Sequence, residues 1–566
     1  MALNVGELLA YQPDRESIAK RGHDDDDNDE DDLDRPVRKA RVRDVERYRR
    51  HSPAQQTGMS EEEKAVILEK LEQEDDMETL DEAALKRMIL TFEKRVYRNQ
   101  EMRIKYPDSP EKFMESELEL HDTIQELHVI ATAPELYHHL VELNAVQSLC
   151  QMLNHENTDI SIALVDLLQE LTDVDTLNES EEGADALIEA LLDAQVFGML
   201  VTNLDRLDES VKEEADGVHN TLGVIENILE FKADRANDAA QQGLMPYLLK
   251  RIKAKMPFDA NKLYCSEMLA IILQNSEETR EQLGELDGID TLLQQLATFK
   301  RHNPANSEEL EMMENLFDCL CSALMLPANR DRFLKGEGLQ LMNLMLREKK
   351  MSRNSALKVL DHALTGPEGV DNCTKFIDIL GLRTIFPLFM KTPKPNKKIG
   401  RMKEEHEEHV VSIIASLLKN VKSNQRQRLL NKFTEADHAK VDRLMELHFK
   451  YLDKVGAVDA QIEREKVALR RQGEEVDEPM EEEFYLRRLN TGLFTLQLLD
   501  YIMLEICSTG PASIKPRVMQ ILNLRGGSIK AIRNIIREYA ANVGDAKSTE
   551  TKEAEQQRLL SLVDRF

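Results

Sequence analysis

The stretch Leu143–Leu171, LNAVQSLCQMLNHENTDISIALVDLLQEL, restricts the fold more than any other part of the chain. In its second half Ile160, Ala163, Leu164, Leu167, Leu168 and Leu171 recur at helical spacing and share one face, while Asp166, Gln169 and Glu170 point away from it. Its first half, Ala145–Leu153, reads as a shorter helix, and residues 154–158 as a polar turn. Two unequal helices of this kind cannot bury their apolar faces alone and have to stack on copies of themselves.

The copies recur along the chain. A small or polar residue, an aliphatic one and a short amphipathic helix come back with Val146, Val196, Leu244, Ile289, Leu339 and Leu382 in equivalent places. Successive differences are 50, 48, 45, 50 and 43 residues, against roughly 40 to 47 for HEAT and armadillo units. The expected fold is all-α: an armadillo/HEAT-like right-handed α-solenoid with helical N- and C-terminal caps and a disordered N-terminal tail. At 566 residues one compact core would be too large, whereas a solenoid grows by adding units.

Residues 1–78 read as the tail. Asp24–Asp34 carries nine acids and buries nothing, and Arg35–Arg50 follows with a basic cluster. Arg35, Arg38, Lys39, Arg41 and Arg43 are the candidate nuclear localisation signal, against the plainer reading of a solvated mixed-charge segment. Residues 79–140 form an N-terminal helical cap, 141–390 the repeats, 391–403 a basic loop and 404–566 a C-terminal helical region. The loop KTPKPNKKIGRMK is read as a solvated connection, with contact to an acidic partner as the alternative.

Charge narrows the class of partner. The net charge is −31, and because residues 1–82 hold 25 acids and 13 bases, −19 remains on the rest. Phosphates would be repelled, so no direct nucleic-acid binding is expected and a basic peptide or protein is the natural partner. No apolar run reaches the roughly 18 residues of a membrane span, and no signal peptide is read at the start, so the expectation is a chain with no membrane role. The six cysteines are scattered, with no CxxC pair, and read as buried reduced thiols.

Tests for catalysis come back negative. His406 and His409 are three apart, not the four a zincin helix needs, and no third ligand is in view. Neither a glycine-rich phosphate loop nor a nucleophile with its base is found. The expectation is a non-enzyme without cofactors or metal. What remains is recognition along the third helices of the repeats, where polar side chains on the free face line a concave groove. The candidates are Asp166, Glu170, Glu213, Asp216, Asn220, Asn227, Glu267, Glu314 and Asp318. Carboxylates spaced in this way pair with Lys and Arg of an extended segment, although acids on solvated helix faces are also ordinary. The chain has no tryptophan, so lysine stems cannot be clamped between indole rings. Exposed ion pairs contribute about 0–1 kcal/mol each, so affinity is expected to be modest and salt-sensitive.

Several long phrases resemble one family. They include Leu207–Asn220 (LDESVKEEADGVHN), Met256–Glu267 (MPFDANKLYCSE), Arg332–Lys349, Glu482–Leu489 (EEFYLRRL) and the opening Val5–Pro13 (VGELLAYQP). Taken in chain order they resemble the β-catenin-like protein 1 family over more than four-fifths of the chain. The resemblance implies a nuclear, non-enzymatic armadillo-type scaffold in pre-mRNA splicing. It implies membership of the Prp-nineteen/Cdc-five complex and binding of basic nuclear localisation segments of spliceosomal proteins. In vertebrates it adds the antibody-diversifying deaminase as a partner. The departure lies in residues 14–80, where the family's basic cluster is displaced to 35–50. A nuclear transport adaptor for basic cargo is the alternative function, and the expected state is a monomer or weak homodimer.

Overall fold

The computed structural model describes residues 80–393, 403–472, 476–543 and 549–566. Among them every regular element is helical and no strand is found. The layers that follow belong to the compact unit that contains Lys86–Phe566.

Six three-helix units repeat. Their third helices are α2 (Thr158–Leu171), α3 (Lys212–Phe231), α4 (Ala260–Gln274), α5 (Ser307–Ala323), α6 (Arg353–Leu364) and α7 (Lys403–Asn420). Helix α1 (Met114–Glu126) packs on α2, each third helix packs on the next, and α8 (Leu493–Thr509) packs on α7. Second helices form another layer, with Ala145–Met152 on Val196–Leu204, Met245–Lys253 on Gly288–Leu296 and Gly338–Glu348 on Leu382–Met390. The apolar stripe of α2 is almost completely buried between these layers, with Ile160, Leu164, Leu167, Leu168 and Leu171 at most 1% exposed. At about 1.5–3 kcal/mol per fully buried large side chain, such stripes hold the stack together.

A recurrent backbone device sets each turn from first to second helix. Asn144, Gln195, Gly243, Asp287, Glu337 and Leu380 all have left-handed φ, between 55° and 110°. Four residues before each, Leu140, Leu191, Ala239, Leu283, Phe333 and Phe376 are fully buried. The turn thus lets the first helix close onto the start of the second. Aligned on this residue, the equivalent positions are Val146, Phe197, Met245, Ile289, Leu339 and Leu382, so the expected Val196 and Leu244 are each one residue early. Apolar pattern alone does not distinguish neighbouring aliphatic residues, whereas backbone handedness does. A left-handed conformation costs a residue with a β-carbon about 1–2 kcal/mol, and glycine is free of that cost. Gln195 is exposed and its side chain has no cap hydrogen bond. Gln195→Gly is therefore expected to raise stability by up to about 1 kcal/mol, read as a higher urea midpoint; a lower midpoint would show the turn is unstrained.

The ends of the third helices are closed by the next unit. The last carbonyls of a helix lack intrahelical partners, and donors from the following first helix supply them. Thr279 Oγ1 donates to Ile272 O (2.8 Å), Arg280 Nε to Leu273 O (2.8 Å), Arg330 Nε to Leu324 O (2.7 Å) and Asn372 Nδ2 to Ala363 O (3.1 Å). Asn329 Nδ2 bridges Ala323 O and Arg280 O at 3.1 and 2.7 Å. Beyond the repeats, the long helix Glu435–Gln472 packs on α8, and the buried His448 Nδ1 lies 2.5 Å from Asp500 Oδ1.

A candidate peptide-binding layer on the third helices

Because the apolar stripe of each third helix faces the second-helix layer, its polar residues are left on the opposite side. On α2 to α5 these helices carry fourteen Asp and Glu against two Lys. One of the two, Lys262, is buried and turns away to Ala254 O at 3.1 Å. Close packing of α3 on α2 depends on Gly217, where a β-carbon would come within 2.8 Å of Ile162 Cγ1.

The polar residues form rungs from one third helix to the next, and from α7 to α8. Asn220 Nδ2 donates to Asp166 Oδ1 (2.8 Å), Tyr264 OH to Glu226 Oε2 (2.5 Å) and Asn315 Nδ2 to Ser266 Oγ (3.3 Å). Further along, Ser355 Oγ donates to Glu314 Oε1 (2.7 Å), Lys358 Nζ to Asp318 Oδ1 (2.8 Å) and Thr495 Oγ1 to Glu408 Oε2 (2.8 Å). His409 Nδ1 lies 2.9 Å from Asp361 Oδ2. Such rungs fix the register between helices that the apolar surface alone leaves free to slide.

All nine sequence-predicted residues lie on third helices α2 to α5, but they are not equally available. Asp166, Glu314 and Asp318 accept the bonds just named, and Asn227 Nδ2 reaches Thr172 Oγ1 at 3.5 Å. Glu170, half exposed, meets His128 Nδ1 at 2.7 Å, and Glu267 is half buried. Glu213 and Asp216, in the first turns of α3, are exposed. Burial raises the Asp166 carboxyl above its ordinary range; the Asn220 bond opposes this, and the charges of Glu170 and Asp216 add to it. A cation arriving between Asp166, Glu170 and Asp216 would relieve that repulsion.

The sequence reading missed an aromatic pair on the same layer. The exposed His219 ring lies 4.8 Å from the Tyr264 ring, tilted by 49°. His219 is one turn from Asp216, and Tyr264 one turn before Glu267. Their helical offset from two predicted acids was the available signal; that they face one another across two helices was not readable. An aromatic face beside carboxylates offers a cation both a π surface and charge.

Burial pushes the thiols of Cys150, Cys265 and Cys373 up to about 12, so almost no thiolate exists near neutrality. Among the described residues no group of three His, Cys, Asp or Glu is placed to hold a metal ion. His406 is buried, and its neighbour Glu407 is held by Lys450 and Tyr451 at 2.6 and 2.9 Å. The localisation candidates Arg35, Arg38, Lys39, Arg41 and Arg43 lie outside the described residues, as does most of the basic loop, 394–402. No described helix is long and apolar enough to cross a membrane.

Comparison with known proteins agrees with this architecture. The family model described as Catenin-beta-like, Arm-motif containing nuclear matches residues 62–537. Beta-catenin-like protein 1 of Homo sapiens and that of Bos taurus are each 68% identical over 487 residues, which is 86% of this chain and 86% of theirs. Beta-catenin-like protein 1 homolog of Schizosaccharomyces pombe is 31% identical over 505 residues, covering 88% of this chain and 86% of its own. With a stack of three-helix units and relatives matched over 86% of their length, this chain belongs to the catenin-beta-like family of Arm-motif nuclear proteins.

Proposed function

We propose that the protein is a non-enzymatic nuclear scaffold in pre-mRNA splicing. Its acidic third-helix layer captures basic, localisation-type segments of spliceosomal proteins such as those of the Prp-nineteen/Cdc-five complex. The observation that carries this reading is the run of fourteen carboxylates against two lysines on α2 to α5. Glu213 and Asp216 lie open on it, and His219 and Tyr264 sit beside them. Membership of a family described as nuclear supports the compartment. A Lys or Arg side chain entering beside Asp216 would make charge-assisted bonds to carboxylates already crowded by like charge.

The test is capture from nuclear extract with the purified chain as bait. Splicing proteins bearing basic segments should be enriched, and should be lost when Glu213 and Asp216 are both replaced by Lys. Enrichment without splicing proteins, or enrichment indifferent to the double substitution, would count against it. The transport-adaptor alternative predicts a different dependence: removing residues 1–55 would stop delivery of basic cargo to the nucleus while leaving cargo binding intact.

A further inference from the structure

A solenoid stays single in solution when the outer face of its terminal unit is polar. The helix Glu82–Lys105 packs on α1, which opens the layer of third helices. Its inner side carries the buried Ile89 and Phe92 and is tied to α1 by polar pairs. Asn99 Nδ2 donates to Ser116 Oγ at 3.1 Å, Arg98 meets Glu119 at 2.6 Å, and Arg95 and Arg103 pair with Glu119 and Glu117. The opposite side is not polar. Leu90, Tyr97 and Ile104 are 62%, 71% and 81% exposed. They follow one another at seven-residue steps, in a line with about 10.5 Å between neighbours, on the side of the helix turned away from Asn99. Single exposed apolar residues are ordinary, but three on one line of a helix make a seam for a second helix.

The charges on this side select the partner. Lys94 and Glu101, both exposed, lie between the three apolar residues. Two such helices side by side in the same direction would set Lys94 against Lys94 and Glu101 against Glu101. Turned antiparallel about a two-fold axis near Tyr97, each Lys94 comes opposite Glu101 of the other copy, Tyr97 meets Tyr97 and Leu90 meets Ile104. The pattern complements its own reverse, which is what a two-fold interface requires. Of the other charges, Arg95, Arg98 and Arg103 are held by acids of α1, and Lys105 lies over the Tyr106 ring at 5.5 Å. Glu93 is half-buried, and Arg87 stands exposed at the end of the line. The net charge of −31 makes whole copies repel, but separations beyond about 8 Å are screened at physiological salt. The acidic layer is not what meets here, since residues 86–105 hold seven bases and two acids.

We propose that the Leu90–Tyr97–Ile104 face is a homodimer interface, at which the helices Glu82–Lys105 of two copies pack antiparallel. One helix pair buries less than the roughly 1,600 Å² of a standard interface, so the association is weak and reversible. The interface lies on a different helix from the acidic residues of α2 to α5, and it stands or falls separately from peptide capture.

The test is sedimentation velocity of the whole chain from about 1 to 200 µM, where the dimer fraction should rise with concentration by mass action. Tyr97→Asp should weaken the dimer by roughly tenfold or more, because it puts charge at the centre of the interface. The monomer's melting temperature should not change, since this side chain is exposed. Lys94→Glu and Glu101→Lys should each weaken the dimer severalfold by setting like charges opposite one another. An equal mixture of these two variants should recover it, and so should the chain carrying both substitutions, because opposite charges again face each other. A monomer at every concentration, a dimer indifferent to Tyr97→Asp, or failure of the mixture to recover would each overturn the proposal.

Discussion

Gly338→Val is expected to destabilise the protein by about 3 kcal/mol or more. Gly338 opens a second helix directly after the left-handed Glu337, and a β-carbon there would overlap the ring of Phe333. Phe333 is fully buried and cannot swing aside into solvent. Overpacking of a close-packed core costs typically 1–3 kcal/mol, and here the β-branch adds a clash in a turn whose backbone is already fixed. The same arrangement returns at Gly288 with Leu283 and at Gly381 with Phe376, with β-carbon approaches of 2.5 Å in both. Urea denaturation of Gly338→Val, beside Gly338→Ala as the milder change, measures it. A midpoint equal to the unaltered chain's would mean that the turn is looser than the packing implies.

The second large effect is with pH. Burial, and then the charge of Arg353, holds His406 well below its usual range, at about 4. Unfolded, the same imidazole titrates near 6.5. The unfolded chain therefore takes up a proton that the folded chain refuses as pH falls from about 6.5 towards 4. Stability is fully present above the unfolded pKa and is lost through that window, by about 2 kcal/mol at pH 5 and roughly 3 kcal/mol in full. His155 and His362 are lowered in the same direction, burial leading in both. Stability at pH 7.5 should thus exceed that at pH 5, and His406→Gln should remove much of the difference. Parallel pH dependence in the substituted and unsubstituted chains would show that His406 is not the neutral buried group described.

The helical face was legible in the sequence because its physics is local. Ile160 to Leu171 recur at the helical period, and burying that stripe requires Asp166 and Glu170 to lie on the other side. What was not legible was the register between helices. Asn220 was a candidate contact for a peptide, yet it spends its amide on Asp166; Ser355 and Lys358 do the same to Glu314 and Asp318. These pairs lie 40 to 54 residues apart, and no periodicity reports a contact at that separation. The turn residues were half legible. A small or polar residue was expected there, but only the left-handed backbone at Gln195 and Gly243 shows that Phe197 and Met245, not Val196 and Leu244, are the counterparts of Val146. The His219–Tyr264 pair depends wholly on packing between units.

The reading stands on an acidic layer that attracts positively charged segments, and the most direct measurement is affinity for a labelled Lys- and Arg-rich peptide at two salt concentrations. For the unaltered chain, binding should weaken markedly between 0.05 and about 0.3 M salt, where screening closes in to a few ångströms. Glu213→Lys/Asp216→Lys should weaken it roughly tenfold at low salt and flatten the salt response. Affinity unchanged by the double substitution, or insensitive to salt, would contradict a carboxylate-lined third-helix layer as the binding surface.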